Sequence, residues 1–266
     1  MARISTTTGE APGAWSSLWL STLAFTTCFA VWTIFSIIGI QIKADLGLSE
    51  TQFGLLVGAP ILTGSLSRVL LGVWAEQFGG RRVNLLIAVL ASAATFLLAQ
   101  AETYPQFLAA ALGMGLAGGA FSVGVTYVSK FFGAGRQGMA LGVFGAGNVG
   151  SAVTKFAAPF VMVALGWQAV AQIWAAALLV VSLAVFLLTR DDPVTAARRK
   201  SGQKAPATWL QLSPLKSLRV WRFALYYFFV FGGFVALALW LPRYLTGAYG
   251  LDIKTAGMVA AAYSIP

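Results

Sequence analysis

Apolar residues along this chain fall in long runs separated by short polar loops. The runs cover residues 18–42, 53–75, 83–101, 107–132, 139–163, 167–188 and 223–245, and an eighth opens at Thr255. Each complete run is near the ~20 residues a helix needs to cross a bilayer. The pattern predicts an all-α polytopic membrane protein, with spans numbered here 1 to 8 in chain order. Residues 1–14 read as a polar N-terminus, 15–189 as a six-helix bundle, 190–222 as a polar connection and 223–266 as the start of a second, incomplete bundle. The first run is too long for a signal-peptide core, and no small-residue cleavage site follows it.

Helical spacing within the runs predicts faces. In span 5, Gly138, Gly142, Ala146 and Gly150 fall four apart, a spacing that lets membrane helices pack backbone to backbone. On another side of the same helix, Leu141, Gly145, Asn148, Ala152, Lys155 and Pro159 recur at 4-3-4-3-4. That side carries an amide and an ammonium roughly 10 Å apart at helical rise. In span 2 the same spacing gathers Gly54, Gly58, Ile61, Ser65, Arg68 and Gly72 into a small, polar face, with most of the leucines off it. Span 4 carries Gly115 and Gly119, with Gly118 and Ser122 as a second small pair, and close packing is the expectation for these.

Composition agrees: 58% of the residues are hydrophobic and only 10% charged, a balance foreign to soluble domains. Histidine is absent and Cys28 is the single cysteine, which excludes an intramolecular disulfide and the usual zinc sites. The glycines of span 5 lie within a membrane helix and not in a strand-to-helix turn, so they do not make a nucleotide site. The net charge of +10 comes from short loops, which suits a lipid surface better than a nucleic acid. With the N-terminus inside, thirteen Lys/Arg lie in inner segments, and only Lys43, Arg243 and Lys254 in outer ones. The positive-inside rule therefore predicts a cytoplasmic N-terminus and a cytoplasmic 190–222 segment.

Arg68 and Lys155 lie within spans, whereas all eight acids lie outside them. Charges at membrane depth are expensive and mark pathways or sites. An arginine without a protein counter-ion points to an anionic substrate, and its forked donors suit a small planar oxyanion. The other reading of Arg68 is a side chain that snorkels to the cytoplasmic headgroups. Lys155, toward the outer end of span 5, either belongs to an anion pathway or only lines the outer vestibule. The aromatic stretch YYFFVFGGF of span 7, Tyr226 to Phe234, reads first as packing or interface anchoring.

The loop GVWAEQFGGRR, from Gly72 to Arg82, resembles the signature between spans 2 and 3 of the major facilitator superfamily. It departs from that signature at Glu76, where aspartate is usual, and at Gly80, where a basic residue is common. FGAGNVGSAVT in span 5 resembles the nitrate signature of the nitrate/nitrite porter family, as do AGGAFSVGVTYVSKFF in span 4 and the intramembrane Arg68. The resemblance implies a major facilitator fold, and nitrate or nitrite as the transported anion. It also implies a role for each matching residue. Arg68 binds the anion's oxygens, Asn148 hydrogen-bonds it beside the exposed backbone at Gly145, and Phe121, Tyr227 and Phe231 wall the site. Gly72, Glu76, Gly79, Arg81 and Arg82 form the gating loop.

Gly47-Leu48 and Gly54 reappear as Gly250-Leu251 and Gly257, an offset of 203 residues. The family's second arginine, in span 8, would then fall at position 271, so the sequence reads as truncated. Transport without a metal or organic cofactor is expected, with proton-coupled uptake suggested by the TKFAAP end of span 5 and nitrate/nitrite exchange as the alternative. The contrasting class is a non-transporting fragment, or a half-transporter that assembles with a partner.

Overall fold

The computed structural model describes residues 10–265, and these are helical throughout, joined by turns and loops. Seven helices are long and apolar enough to cross a membrane. They are span 1 (Ala14–Trp32), span 2 (Glu50–Phe78), span 3 (Gly80–Leu98), span 4 (Tyr104–Phe131), span 5 (Ala134–Leu165), span 6 (Trp167–Leu188) and span 7 (Leu218–Tyr249). The eighth helix, span 8, covers Ile253–Tyr263. Polar caps extend several spans beyond their apolar runs. Ser49 and Gln52 form a reciprocal capping box at the start of span 2, and the Asp252 side chain accepts from the first free N–H groups of span 8. The tight turn between spans 2 and 3 rests on Gly79 at φ +92°, a conformation that glycine adopts without strain.

Span 1 differs from the single run its sequence predicts. The helix stops at Trp32, makes a 3₁₀ turn at Ile34–Ser36 and resumes as Ile38–Leu46. The Thr33 hydroxyl bonds back to the Phe29 carbonyl at 3.0 Å, and β-branched Thr33, Ile34, Ile37 and Ile38 crowd the turn. Spans 4 and 5 also tighten into 3₁₀ geometry midway, at Gly115–Gly119 and Ala146–Val149.

Span 4 packs on span 2 through its glycines. A Cβ at Gly115 would lie 2.7 Å from the Pro60 carbonyl oxygen, and one at Gly119 would lie 2.2 Å from Leu71. In span 5, close packing falls on a different face from the predicted one. Gly138, Gly142 and Ala146 are exposed, and nothing approaches Gly138 or Gly142 within 4 Å. The buried stripe is instead Ala140, Phe144, Gly147, Ser151, Thr154 and Ala158. Phe144 fixes this rotation, because its ring fills the centre of the bundle against Phe25 at 5.0 Å and against Gly124. Gly147 and Gly150 then meet the backbone of span 1, where a Cβ on Gly150 would lie 2.1 Å from the Thr26 carbonyl oxygen.

Residues 190–222 carry a helix of their own, Pro193–Lys200, capped by the buried Asp192 side chain. This helix lies across the turn between spans 2 and 3. Arg198 donates to the Glu76 carbonyl and Arg199 to the Phe78 carbonyl, both at 2.6 Å. Span 7 is mostly exposed. It meets the rest of the fold through Val235, Ala238 and Leu239, and through Trp240, edge-on to Phe53 of span 2.

Candidate functional site: a caged arginine between spans 2 and 7

The predicted face of span 2 lines a cavity of about 570 Å³ between spans 2 and 7. Gly58, Ile61, Ser65 and Arg68 come from span 2; Tyr227, Phe228, Phe231 and Gly232 come from span 7. Gly54 lies toward Trp240 and Gly72 toward Ser122, at the two ends of the same face. Small residues leave the space, and Arg68 supplies the charge.

The Arg68 side chain folds against span 4. Its Nε donates to the Gly118 carbonyl of span 4 at 3.1 Å, while Ser122 donates to the Arg68 carbonyl at the same distance. The guanidinium carbon lies 5.6 Å from the Trp32 ring, 5.8 Å from Phe121 and 5.3 Å from Phe231. Rings at these distances attract a cation through their quadrupoles. Tyr227 stacks on Phe231 at 4.9 Å and lies parallel to Phe121 at 6.5 Å, which continues the aromatic wall. Among the described residues no carboxylate pairs with Arg68, and the Tyr227 hydroxyl lies beside its guanidinium. A guanidinium with five N–H donors, held through Nε at a carbonyl and beside one hydroxyl, still offers outer N–H groups to the oxygens of a ligand.

The candidate residues therefore divide. Arg68, Phe121, Tyr227 and Phe231 come together. Asn148 and Gly145 do not line this cavity. Asn148 donates to the Gly145 carbonyl at 2.9 Å, and its own amide oxygen is buried without a partner. Gly145 borders open space. Lys155 lies elsewhere again, fully buried, with its ammonium donating to Ser264 of span 8.

The loop residues form a separate charged cluster at the end carrying most of the Arg/Lys. Lys130 of span 4 reaches Glu76 at 3.0 Å and Asp192 at 3.8 Å. Arg81 donates to the Phe186 carbonyl at 2.8 Å and stacks over its ring. Arg199 pairs with Asp191, which lies 4.0 Å from Arg81. Gly79 packs against Thr195, where a Cβ would come within 3.1 Å of its methyl group.

Trp32 and the Gly118 carbonyl are the groups around Arg68 that sequence reasoning missed. Trp32 is 1% exposed, and its indole N–H donates to the Pro60 carbonyl at 2.8 Å. A Cβ on Gly64 or on Gly118 would come within 2.7 Å of that nitrogen. The signal for Trp32 was therefore indirect: two glycines, in spans 2 and 4, that vacate a slot for one large ring.

Residues 20–266 match the Major Facilitator Superfamily. The "Probable nitrate/nitrite antiporter NarK1" of Thermus thermophilus is 38% identical over 97% of this chain and 59% of its own length. The "Nitrite extrusion protein" of Bacillus subtilis (strain 168) is 31% identical over 92% of this chain and 60% of its own. The chain thus spans about 60% of the relatives' length. Among solved structures, a bacterial homolog of the human lysosomal transporter Spinster, captured inward-facing and occupied, superposes with a TM-score of 0.73. The identity is 18%, over 97% of this chain and 59% of that one, so the likeness concerns the fold alone. With the helical order, the span 2–3 turn and a match over nearly its whole length, this chain belongs to the Major Facilitator Superfamily, a family of membrane transporters.

Proposed function

We propose that this chain supplies the anion-binding part of a nitrate transporter of the bacterial inner membrane, working by alternating access between two helical bundles. The observation that carries the reading is Arg68. It is a guanidinium with no carboxylate partner among the described residues, held by Nε at Gly118 and by three rings, beside the Tyr227 hydroxyl and lining a cavity. A nitrate edge presents two oxygens at the spacing of that fork. Phe121, Tyr227 and Phe231 wall the flat anion and exclude water, which strengthens its attraction to the guanidinium. The names of the Thermus and Bacillus relatives support nitrate and nitrite as the substrate class. Asn148 beside Gly145 supplies a further amide donor when the bundles rearrange, and the loop residues Gly72, Glu76, Gly79, Arg81 and Arg82 gate the cytoplasmic side.

In this reading the N-terminus and residues 190–222 are cytoplasmic, residues 15–189 form the first bundle and residues 223–266 open the second. Net uptake is driven by protons. Nitrate/nitrite exchange is the second reading, favoured by the antiporter name of the Thermus relative. Proteoliposomes holding the full-length transporter separate the two. Nitrate accumulation that follows an imposed pH gradient, needs no internal nitrite and collapses with an uncoupler supports symport. Accumulation that requires internal nitrite and ignores the uncoupler supports exchange.

A further inference from the structure

Lys155 is the charged group in the interior of a span, away from its ends, that the Arg68 site does not use. It is fully buried, and the Ser264 hydroxyl is its one hydrogen-bond partner among the described residues. Its setting is tight on every side. Next to it, Thr154 donates to the Ala30 carbonyl of span 1 at 2.7 Å and accepts from the Trp174 indole of span 6 at 2.9 Å. On the other flank, span 8 rides directly on the Lys155 backbone: a Cβ on Gly257 would lie 2.4 Å from the Lys155 carbonyl oxygen and 2.7 Å from Pro159.

The elements packed around this point carry few ionisable groups. Span 6 has none. Span 1 carries Cys28, with Lys43 and Asp45 in its outer helix. Lys43 pairs with Glu50, and Asp45 accepts from Gln41. Span 8 carries Asp252, which caps its own helix, Lys254, which lies over Phe160, and Tyr263, which stacks on Phe234. None of these pairs with Lys155. Away from the span ends, Lys155 is the one amine among the described residues, and no carboxylate or imidazole lies there; Glu50, Glu76, Lys130 and Lys254 sit in first or last turns.

We propose that Lys155 carries the coupled proton, an inference that rests on the proton-coupled reading above. While water reaches the span 5–span 8 contact from outside, a hydronium ion protonates Nζ: one N–H bond forms and a water is released. Closing span 8 onto span 5, as here, strips water from the ammonium and supplies no counter-ion, which is costly. Opening to the inside passes the proton to water and leaves a neutral amine. Ser264 serves both forms, because its hydroxyl accepts from an ammonium and donates to an amine. The contact that seals Lys155 joins a helix of the first bundle to one of the second. Rocking the bundles therefore changes its hydration in step with access to the anion site.

The test uses the full-length transporter in proteoliposomes, with nitrate self-exchange and pH-gradient-driven nitrate accumulation measured on the same preparations. For Lys155→Met and Lys155→Arg, the expected result is self-exchange at the wild-type rate with loss of gradient-driven accumulation. The first variant cannot bind the proton and the second cannot release it. A wild type that accumulates nitrate with the gradient, beside a Lys155→Met protein that does so equally well, overturns the role of Lys155 and leaves symport standing. A wild type that ignores the gradient overturns the symport reading and this inference with it. Should both Lys155 variants lose self-exchange as well, Ser264→Ala decides, since it leaves the lysine in place. A shifted pH midpoint of accumulation supports proton carriage, and an unchanged midpoint overturns it.

Discussion

Arg68→Lys separates a forked ligand contact from simple charge. In the protein, one guanidinium does two things at once. Nε is committed to the Gly118 carbonyl at 3.1 Å, and the guanidinium lines the cavity beside the Tyr227 hydroxyl. A lysine ammonium is compact, strongly hydrated and has no planar fork. It can stay at Gly118 and leave the anion, or reach the anion and leave Gly118 without its donor. Either way at least one charge-assisted hydrogen bond is lost, worth about 1.5–3 kcal/mol. That corresponds to roughly a ten- to hundred-fold weaker apparent affinity. The three rings continue to attract a cation, so the loss should not grow to that of a neutral residue. Insertion should be unaffected, because lysine and arginine cost about the same at the centre of a membrane helix. The assay is nitrate uptake over a range of concentrations in the full-length transporter, normalised to the amount of protein in the membrane. Wild-type affinity in Arg68→Lys would refute the ligand role and leave Arg68 as a pin between spans 2 and 4.

Asn148→Leu keeps the size but removes the hydrogen bond to Gly145 and the unpartnered buried oxygen. If Asn148 donates to the anion, nitrate binding should weaken about tenfold or more with normal expression, and unchanged affinity would reduce it to helix packing. Ser201, exposed just past the Pro193–Lys200 helix, tests orientation. With Cys28→Ser as background, Ser201→Cys should react with an impermeant thiol reagent only after the membrane is opened, and labelling in intact spheroplasts would invert the topology. Glu50 bridges Lys43 of span 1 and Arg243 of span 7, and their hydrogen bonds hold its carboxyl below the usual range. A lowered pKa means that its contribution is complete above the ordinary carboxylate pKa and is lost as pH falls through the lowered one. The melting temperature of wild type should therefore exceed that of Glu50→Gln at neutral pH, and the gap should close in acid. A gap that persists unchanged below pH ~3, beneath the ordinary carboxylate range, would assign it to packing.

The spans were legible because membrane crossing demands runs of a fixed length, and seven runs here meet it. The face holding Arg68 was legible for a related reason. A helix has one short period, and a polar residue in lipid must share its side with small or polar neighbours, as Gly58, Ile61 and Ser65 do. The break in span 1 was not legible, because Thr33 and the four nearby isoleucines carry no proline to mark it and fit the interior of an apolar helix. Phe121, Tyr227 and Phe231 entered only through resemblance: an aromatic residue in a membrane helix carries no mark that separates a site wall from packing. Trp32 carried still less, because its meaning lies in the cavity that other residues leave for it.

Glycines show most clearly where pattern stops and packing begins. Gly138, Gly142, Gly145, Gly147 and Gly150 lie on one helix, and by spacing alone the first two group with Gly150 as a contact face. The structure divides them otherwise: Gly147 and Gly150 meet span 1, whereas Gly138, Gly142 and Gly145 meet nothing. What decides is the large residue that shares the stripe. Phe144 must point inward, toward Phe25 and Phe121, and once it does the helix rotation is set. The same logic places Arg68. Gly115, Gly118 and Gly119 bring span 4 so close to span 2 that a backbone carbonyl, not a side chain, takes up Nε. A carbonyl can neutralise no charge, whereas a carboxylate in its place would have paired with the guanidinium and competed with an anion. Fixing the arginine with a dipole and three ring faces orients it and leaves its full positive charge for the ligand.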